Sequence, residues 1–232
     1  MGEIDGVTVE PQTEAAFGDA ELAVLSPGVP ADLALLAPLR ARGVPVIGEL
    51  ELAAPFLEGE NIGITGTNGK TTTTAMTGHI LRESGITCQV GGNIGTAPAG
   101  MVATSRPGQW NILKLSSFQL ETIQTFRVPI AACLNVTQNH LDRHHTFDNY
   151  LNAKARLFET QRSGDLAVLN ADDPITAAFA ARTKATTVWF SGTHIGYAAL
   201  GWMGKRFASA TPNSWTFTNC ACVAVTTTKT SW

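Results

Sequence analysis

Between residues 20 and about 190, short apolar runs alternate with segments of helical character, and this alternation restricts the fold more than any other feature. ELAVLS (21–26) is a strand candidate ended by Pro27-Gly28. Residues 32–42 read as a helix stopped by Gly43, followed by a short strand in VPVIG. Residues 49–57 form a further helix, with a break expected at Pro55. NIGIT then runs as a buried strand into a Gly-rich turn, and 72–84 fit a helix closed by Gly85. Residues 86–90, WNILKLS, PIAACLNV, DLAVLN and TTVWFS are further strand candidates. Between them, 117–125, 147–160 and 173–182 have helical character. In the second of these, Phe147, Leu151, Ala155 and Phe158 recur on one face. Strands and helices in alternation predict an α/β fold, a mostly parallel sheet with flanking helices.

Composition narrows the function classes. The 232 residues carry a net charge of -3 with no block of Lys or Arg, which argues against nucleic acid or an anionic membrane as partner. No apolar run reaches the roughly 18 residues that span a bilayer, and MGEIDGVTVE lacks the basic-then-apolar pattern of a signal peptide. Cys88 and Cys133 sit in apolar segments as reduced core residues, and Cys220-x-Cys222 has no second pair, so it is weak evidence for a metal. The chain reads as soluble and cytoplasmic.

The chemistry concentrates in Ile64-Thr65-Gly66-Thr67-Asn68-Gly69-Lys70-Thr71, between a strand and a helix. Glycines let successive N–H groups turn toward phosphate oxygens, and the helix that follows adds its positive end. Lys70 is placed to bridge β- and γ-phosphates, and the Thr71 hydroxyl to hold Mg²⁺. Strict P-loop spacing wants Gly where Ile64 stands, and the bland reading is a strand-to-helix turn that binds nothing.

TGTNGKTTTT resembles the phosphate loop of the Mur ligase family and of its relative folylpolyglutamate synthase. Gly91-Gly92-Asn93-Ile94-Gly95, Leu115-Ser116-Ser117-Phe118-Gln119-Leu120-Glu121, Asn135-Val136-Thr137, His140-Leu141-Asp142-Arg143-His144 and Asn170-Ala171-Asp172-Asp173 follow in the family's order. SSFQLE is similar to the branch that adds D-glutamate. Ser26-Pro27-Gly28-Val29-Pro30 and Gly48-Glu49-Leu50-Glu51 resemble the end of that branch's first domain.

The resemblance covers about 20–191 and implies a central P-loop domain plus a partial Rossmann-like N-terminal domain. It implies domains at 1–58 (partial, binding the UDP precursor) and 59–191 (ATP-binding, incomplete), with an atypical tail at 192–232. It also implies ATP and Mg²⁺ as cofactors, UDP-N-acetylmuramoyl-L-alanine and D-glutamate as substrates, and a monomer. Gly66, Thr67, Asn68, Gly69, Lys70, Thr71 and Thr72 would hold ATP. Lys70, His140 and Lys154 would be catalytic, and Asn93, Ser116 and Gln119 would line the precursor site. Thr71, His140 and a carbamylated Lys154 would face magnesium. The bland readings are a solvated polar loop for His140, an exposed helix lysine for Lys154, and a turn-closing role for Asn93.

Three positions depart from the family pattern. Lys114 stands where the family has a metal-holding glutamate, and Gln138-Asn139 replace a proline and an aspartate, which weakens the expected hold on magnesium. The tail departs as well. After Asp173 there is no Asp or Glu, and residues from 192 onward hold three tryptophans without a clear period. The tail reads either as non-native coding sequence, such as a shifted frame, or as a Thr/Trp-rich β-hairpin region.

Overall fold

A computed structural model of the chain describes residues 7, 11 and 13–193. All but the first two residues of the 192–232 tail, and with them both of its readings, therefore lie outside the described residues.

Eight strands appear in chain order: β1 (Ala23–Leu25), β2 (Val46–Gly48), β3 (Glu60–Thr65), β4 (Cys88–Gly92), β5 (Trp110–Lys114), β6 (Ile130–Cys133), β7 (Leu166–Asn170) and β8 (Thr186–Phe190). β1 and β2 form a small parallel pair, and the other six form one parallel sheet in the order β4-β5-β3-β6-β7-β8. The mostly parallel sheet with flanking helices expected from the alternation is the architecture found.

The period-2 alternation of each strand splits the sheet into two buried faces. Ile62, Ile64 and Ile112 pack with Trp110, Val90 and Leu81 on the side covered by α3 (Lys70–Glu83). Leu113, Ala131, Cys133, Ala167 and Leu169 join Leu157 and Phe158 of α7 (Phe147–Glu159) in the larger core on the other side. Thr146 caps α7 by accepting the Asn149 N–H, which satisfies one donor that the first helical turn leaves open. The face of α7 that packs inward adds Tyr150, Ala153 and Lys154 to the apolar positions anticipated from spacing.

Several boundaries differ from expectation for local reasons. Residues 32–42 are a 3-10 turn (Ala34–Leu36) leading into the short α1 (Ala37–Ala41), because Pro38 near the helix start forces a new first turn. α2 (Glu49–Ala53) gives way to a 3-10 turn at Ala54–Phe56, the break expected at Pro55. α3 begins at Lys70, two residues earlier than expected. The helix expected over 117–125 shrinks to α5 (Ser117–Leu120), because Glu51 accepts the N–H groups of Gln124, Thr125 and Phe126 and holds that backbone away from a helical course. Two short helices without a readable period complete the series, α4 (Pro98–Met101) and α6 (Leu141–His144), before α8 (Pro174–Ala178).

The order of the sheet makes β3 a switch point. The chain leaves β3 for β4 and β5 on one side, then crosses to β6, β7 and β8 on the other. Connections that diverge from neighbouring strand ends leave a crevice there, where open α/β sheets receive ligands.

Candidate functional site

The loop between β3 and α3 lies in that crevice. Gly66 (φ 142°) and Gly69 (φ 83°) both occupy backbone space that side chains disfavour, so the tight curl depends on glycine at these two places. The first helical bond of α3 runs from Thr73 N–H to Gly69 C=O. The amides of Lys70, Thr71 and Thr72 therefore precede the helical ladder and point outward, as an anion requires.

A part of the site that sequence reasoning left out of its residue assignments locks the loop from the other side. The amides of Thr67 and Asn68 donate to the Asn135 side-chain oxygen at 3.1 and 2.8 Å, and Asn135 donates back to Asn68 C=O. The Thr67 hydroxyl donates to Thr137 C=O and receives the Thr137 N–H at 2.9 Å. It also lies 3.0 Å from the Tyr150 hydroxyl. Thr67 and Asn68 thus serve the shape of the loop through their amides. Asn135-Val136-Thr137 was visible as a motif, but its role follows from β6 lying beside β3, a pairing that no local pattern encodes. Tyr150 gave no signal beyond its place on α7.

Two lysines converge on one oxygen. Lys70 Nζ donates to Gly66 C=O at 2.8 Å and to Thr67 C=O at 2.7 Å, and Lys154 Nζ donates to the same Gly66 C=O at 2.8 Å. Lys154 is only 1% exposed, and its ammonium sits 4.6 Å from the centre of the Tyr150 ring. Burial, followed by repulsion from Lys70, brings its pKa down to about 7. Burial also lowers the pKa of Lys70, with Lys114 adding to the effect.

Lys114 closes the group. It ends β5, paired in register with Ile64 on one side and Gly92 on the other. It shares the sheet face of Trp110 and Ile112, the face that α3 covers. Its C=O accepts the Asn93 N–H at 2.8 Å, and a Cβ on Gly92 would come within 2.4 Å of that oxygen, so glycine there is a condition of the close approach. None of Lys70, Lys114 and Lys154 forms an ion pair among the described residues.

The expected precursor residues are more dispersed. Asn93 is exposed beside the end of β5. Ser116 and Gln119 bond each other in a capping box at the start of α5, with Gln119 buried. His140 is exposed, in left-handed backbone, with its ring 4.9 Å from that of Phe118 and 6.3 Å from that of Tyr150. The rest of its motif is structural. Arg143 donates to Gly28 C=O, Val29 C=O and the Glu121 carboxylate, and His144 bonds Ser117 while facing Glu121 at 3.7 Å.

Magnesium is poorly matched by these side chains as they stand. Among the described residues no group of three or more His, Cys, Asp or Glu could hold a metal ion. Lys154 presents donors only, and Lys114 adds an ammonium at the strand end. Thr71 and His140 remain as candidates.

The Mur ligase middle domain model matches residues 64–219. The UDP-N-acetylmuramoylalanine--D-glutamate ligase of Solibacter usitatus is 62% identical over 191 residues, which is 82% of this chain and 43% of that protein. The enzyme of the same name from Koribacter versatilis is 51% identical, over 82% of this chain and 42% of its own length. The chain thus spans about two fifths of these relatives. Among solved structures, the UDP-N-acetylmuramate:L-alanyl-gamma-D-glutamyl-meso-diaminopimelate ligase from Neisseria meningitides shares the fold at 17% identity and TM-score 0.53, covering 78% of this chain and 62% of that one. With the phosphate loop, the motif order and two thirds of its length matched, the chain belongs to the Mur ligase family.

Proposed function

We propose that this chain is the nucleotide-binding core of an ATP-dependent ligase of peptidoglycan precursor synthesis, the branch that adds D-glutamate to UDP-N-acetylmuramoyl-L-alanine. The observation that carries this reading is the loop Gly66–Thr71, where open helix amides and the Lys70 ammonium meet at one point. The likeness to two UDP-N-acetylmuramoylalanine--D-glutamate ligases favours the D-glutamate branch over a folylpolyglutamate synthase-like ligase.

In the proposed reaction the carboxylate of the precursor attacks the γ-phosphorus of ATP, forming an acyl phosphate and releasing ADP. The amine of D-glutamate then attacks the carbonyl carbon. Phosphate leaves with the electrons of the C–O bond, the nitrogen gives up a proton, and the amide forms. Both reactants are anionic, so the residues present must offset charge and hold geometry. Gly69, Lys70, Thr71 and Thr72 would hold the phosphates, and Thr67 and Asn68 would hold the loop. Asn93, Ser116 and Gln119 would border the precursor, and His140 would lie at its edge.

The resemblance makes Lys154 a carbamylation position. A buried amine with a pKa of about 7 is largely uncharged just above neutrality, the form that reacts with carbon dioxide. Because the unmodified side chains do not match magnesium, no step is assigned to the metal. A cytoplasmic monomer is the expected setting; no helix among the described residues is long and apolar enough to cross a membrane.

Calorimetric titration with ATP tests the reading. Binding is expected for the chain, with a loss of about tenfold or more for Lys70→Ala. Absence of binding would reject it. The specific observation of Lys114 favours a second reading, a non-catalytic nucleotide-binding remnant. ADP release that depends on both precursor and D-glutamate would exclude the remnant.

A further inference from the structure

The disagreement between the site and a divalent cation has a chemical meaning of its own. Three lysine side chains surround the phosphate loop. Lys70 and Lys154 share the Gly66 carbonyl, and Lys114 stands on the α3 side of the sheet, one strand from the loop. Unpaired cations in a partly buried site destabilise the folded chain unless an anion neutralises them. Ion pairs elsewhere among the described residues bring arginines and histidines against carboxylates, whereas these three lysines have none. The open amides of α3 point at the same crevice, and its fourteen residues give the helix end its full positive character.

We propose that the loop binds the triphosphate of a nucleotide without a divalent cation, with Lys114 supplying, beside Lys70, the positive charge that a metal supplies in other phosphate loops. This rests on the nucleotide-binding reading above. A lysine ammonium can donate three hydrogen bonds to phosphate oxygens and needs no carboxylate to hold it. Its charge also repels a metal ion from the place a metal would take. Metal-free ATP, being more anionic than its magnesium complex, is therefore the preferred ligand.

The experiment is calorimetric titration of the full chain with ATP, once in excess EDTA and once in excess Mg²⁺, with inorganic tripolyphosphate as competitor. The expected result is binding in EDTA at least as tight as in Mg²⁺, and displacement of ATP by tripolyphosphate. Lys114→Glu should weaken binding in EDTA by about tenfold or more and make it respond to Mg²⁺. Lys114→Gln, which removes the charge and adds no carboxylate, should weaken it less and leave it insensitive to the metal. Binding in Mg²⁺ alone would overturn the inference and leave the nucleotide-binding reading intact. Binding in neither condition would overturn both. The wild-type comparison decides the matter even if a substituted chain fails to fold.

Discussion

Two cationic regions of this molecule lie close together and are built on opposite rules. Around α6, basic side chains have partners within the chain: Arg143 is held by Glu121 and two carbonyls, His144 by Ser117 and Glu121, and His145 by Asp32 at 2.8 Å. At the phosphate loop, Lys70 and Lys154 have only backbone carbonyls as acceptors, and burial lowers the affinity of both for their own protons. The first region spends its charge on holding residues 28–32 against the central sheet. The second leaves its charge available to a ligand. Charge that serves architecture is neutralised inside the chain, whereas the lysines of the proposed binding loop meet no carboxylate among the described residues.

Substitutions can break that contrast. Glu121→Ala should cost the most, about 3–5 kcal/mol in urea denaturation, because it leaves the mostly buried Arg143 without its carboxylate. A loss below about 1 kcal/mol would mean that the clasp is not structural. Lys70→Ala should behave the other way, leaving the unfolding midpoint unchanged or raised while ATP affinity drops about tenfold or more. A strong destabilisation would show that Lys70 is part of the architecture after all.

A pH titration of stability sharpens the first half of the comparison. Burial lowers the pKa of His144 despite the neighbouring Glu121, so the unfolded chain takes up a proton before the folded chain does. Stability is therefore greatest above the ordinary histidine value of 6.5 and falls as the pH drops from there toward the lower folded pKa. His144→Gln should flatten that part of the curve. The smallest effect is expected from His145→Ala, within about 0.5 kcal/mol, since its pair with Asp32 is open to solvent on both sides. A larger loss would place this surface pair among the interior ones.

The extent to which the sequence already carried this picture differs between sheet and site. Strands such as NIGIT and WNILKLS are buried on both faces and leave continuous apolar runs, so the parallel sheet was readable. α4 was not, because PAGM has no polar face to set against an apolar one. The phosphate loop was legible because its glycines and Lys70 act through local backbone geometry. Asn135 and Tyr150 were not assigned to it, since each reaches the loop across more than sixty residues of chain once strand order is fixed. Lys114 was seen as a departure, but its membership in a group of three required the register of β3 with β5.

Glu51 offers a way to watch the molecule rather than alter it. Its carboxylate, 7% exposed, receives the amides of Gln124, Thr125 and Phe126, none of which belongs to a helix or a strand. Hydrogen exchange at these three positions is therefore governed by the seating of α2, and not by the melting of a regular element. They act as a built-in reporter: one cluster of slow amides whose quickening would time the release of the N-terminal segment, read without a label.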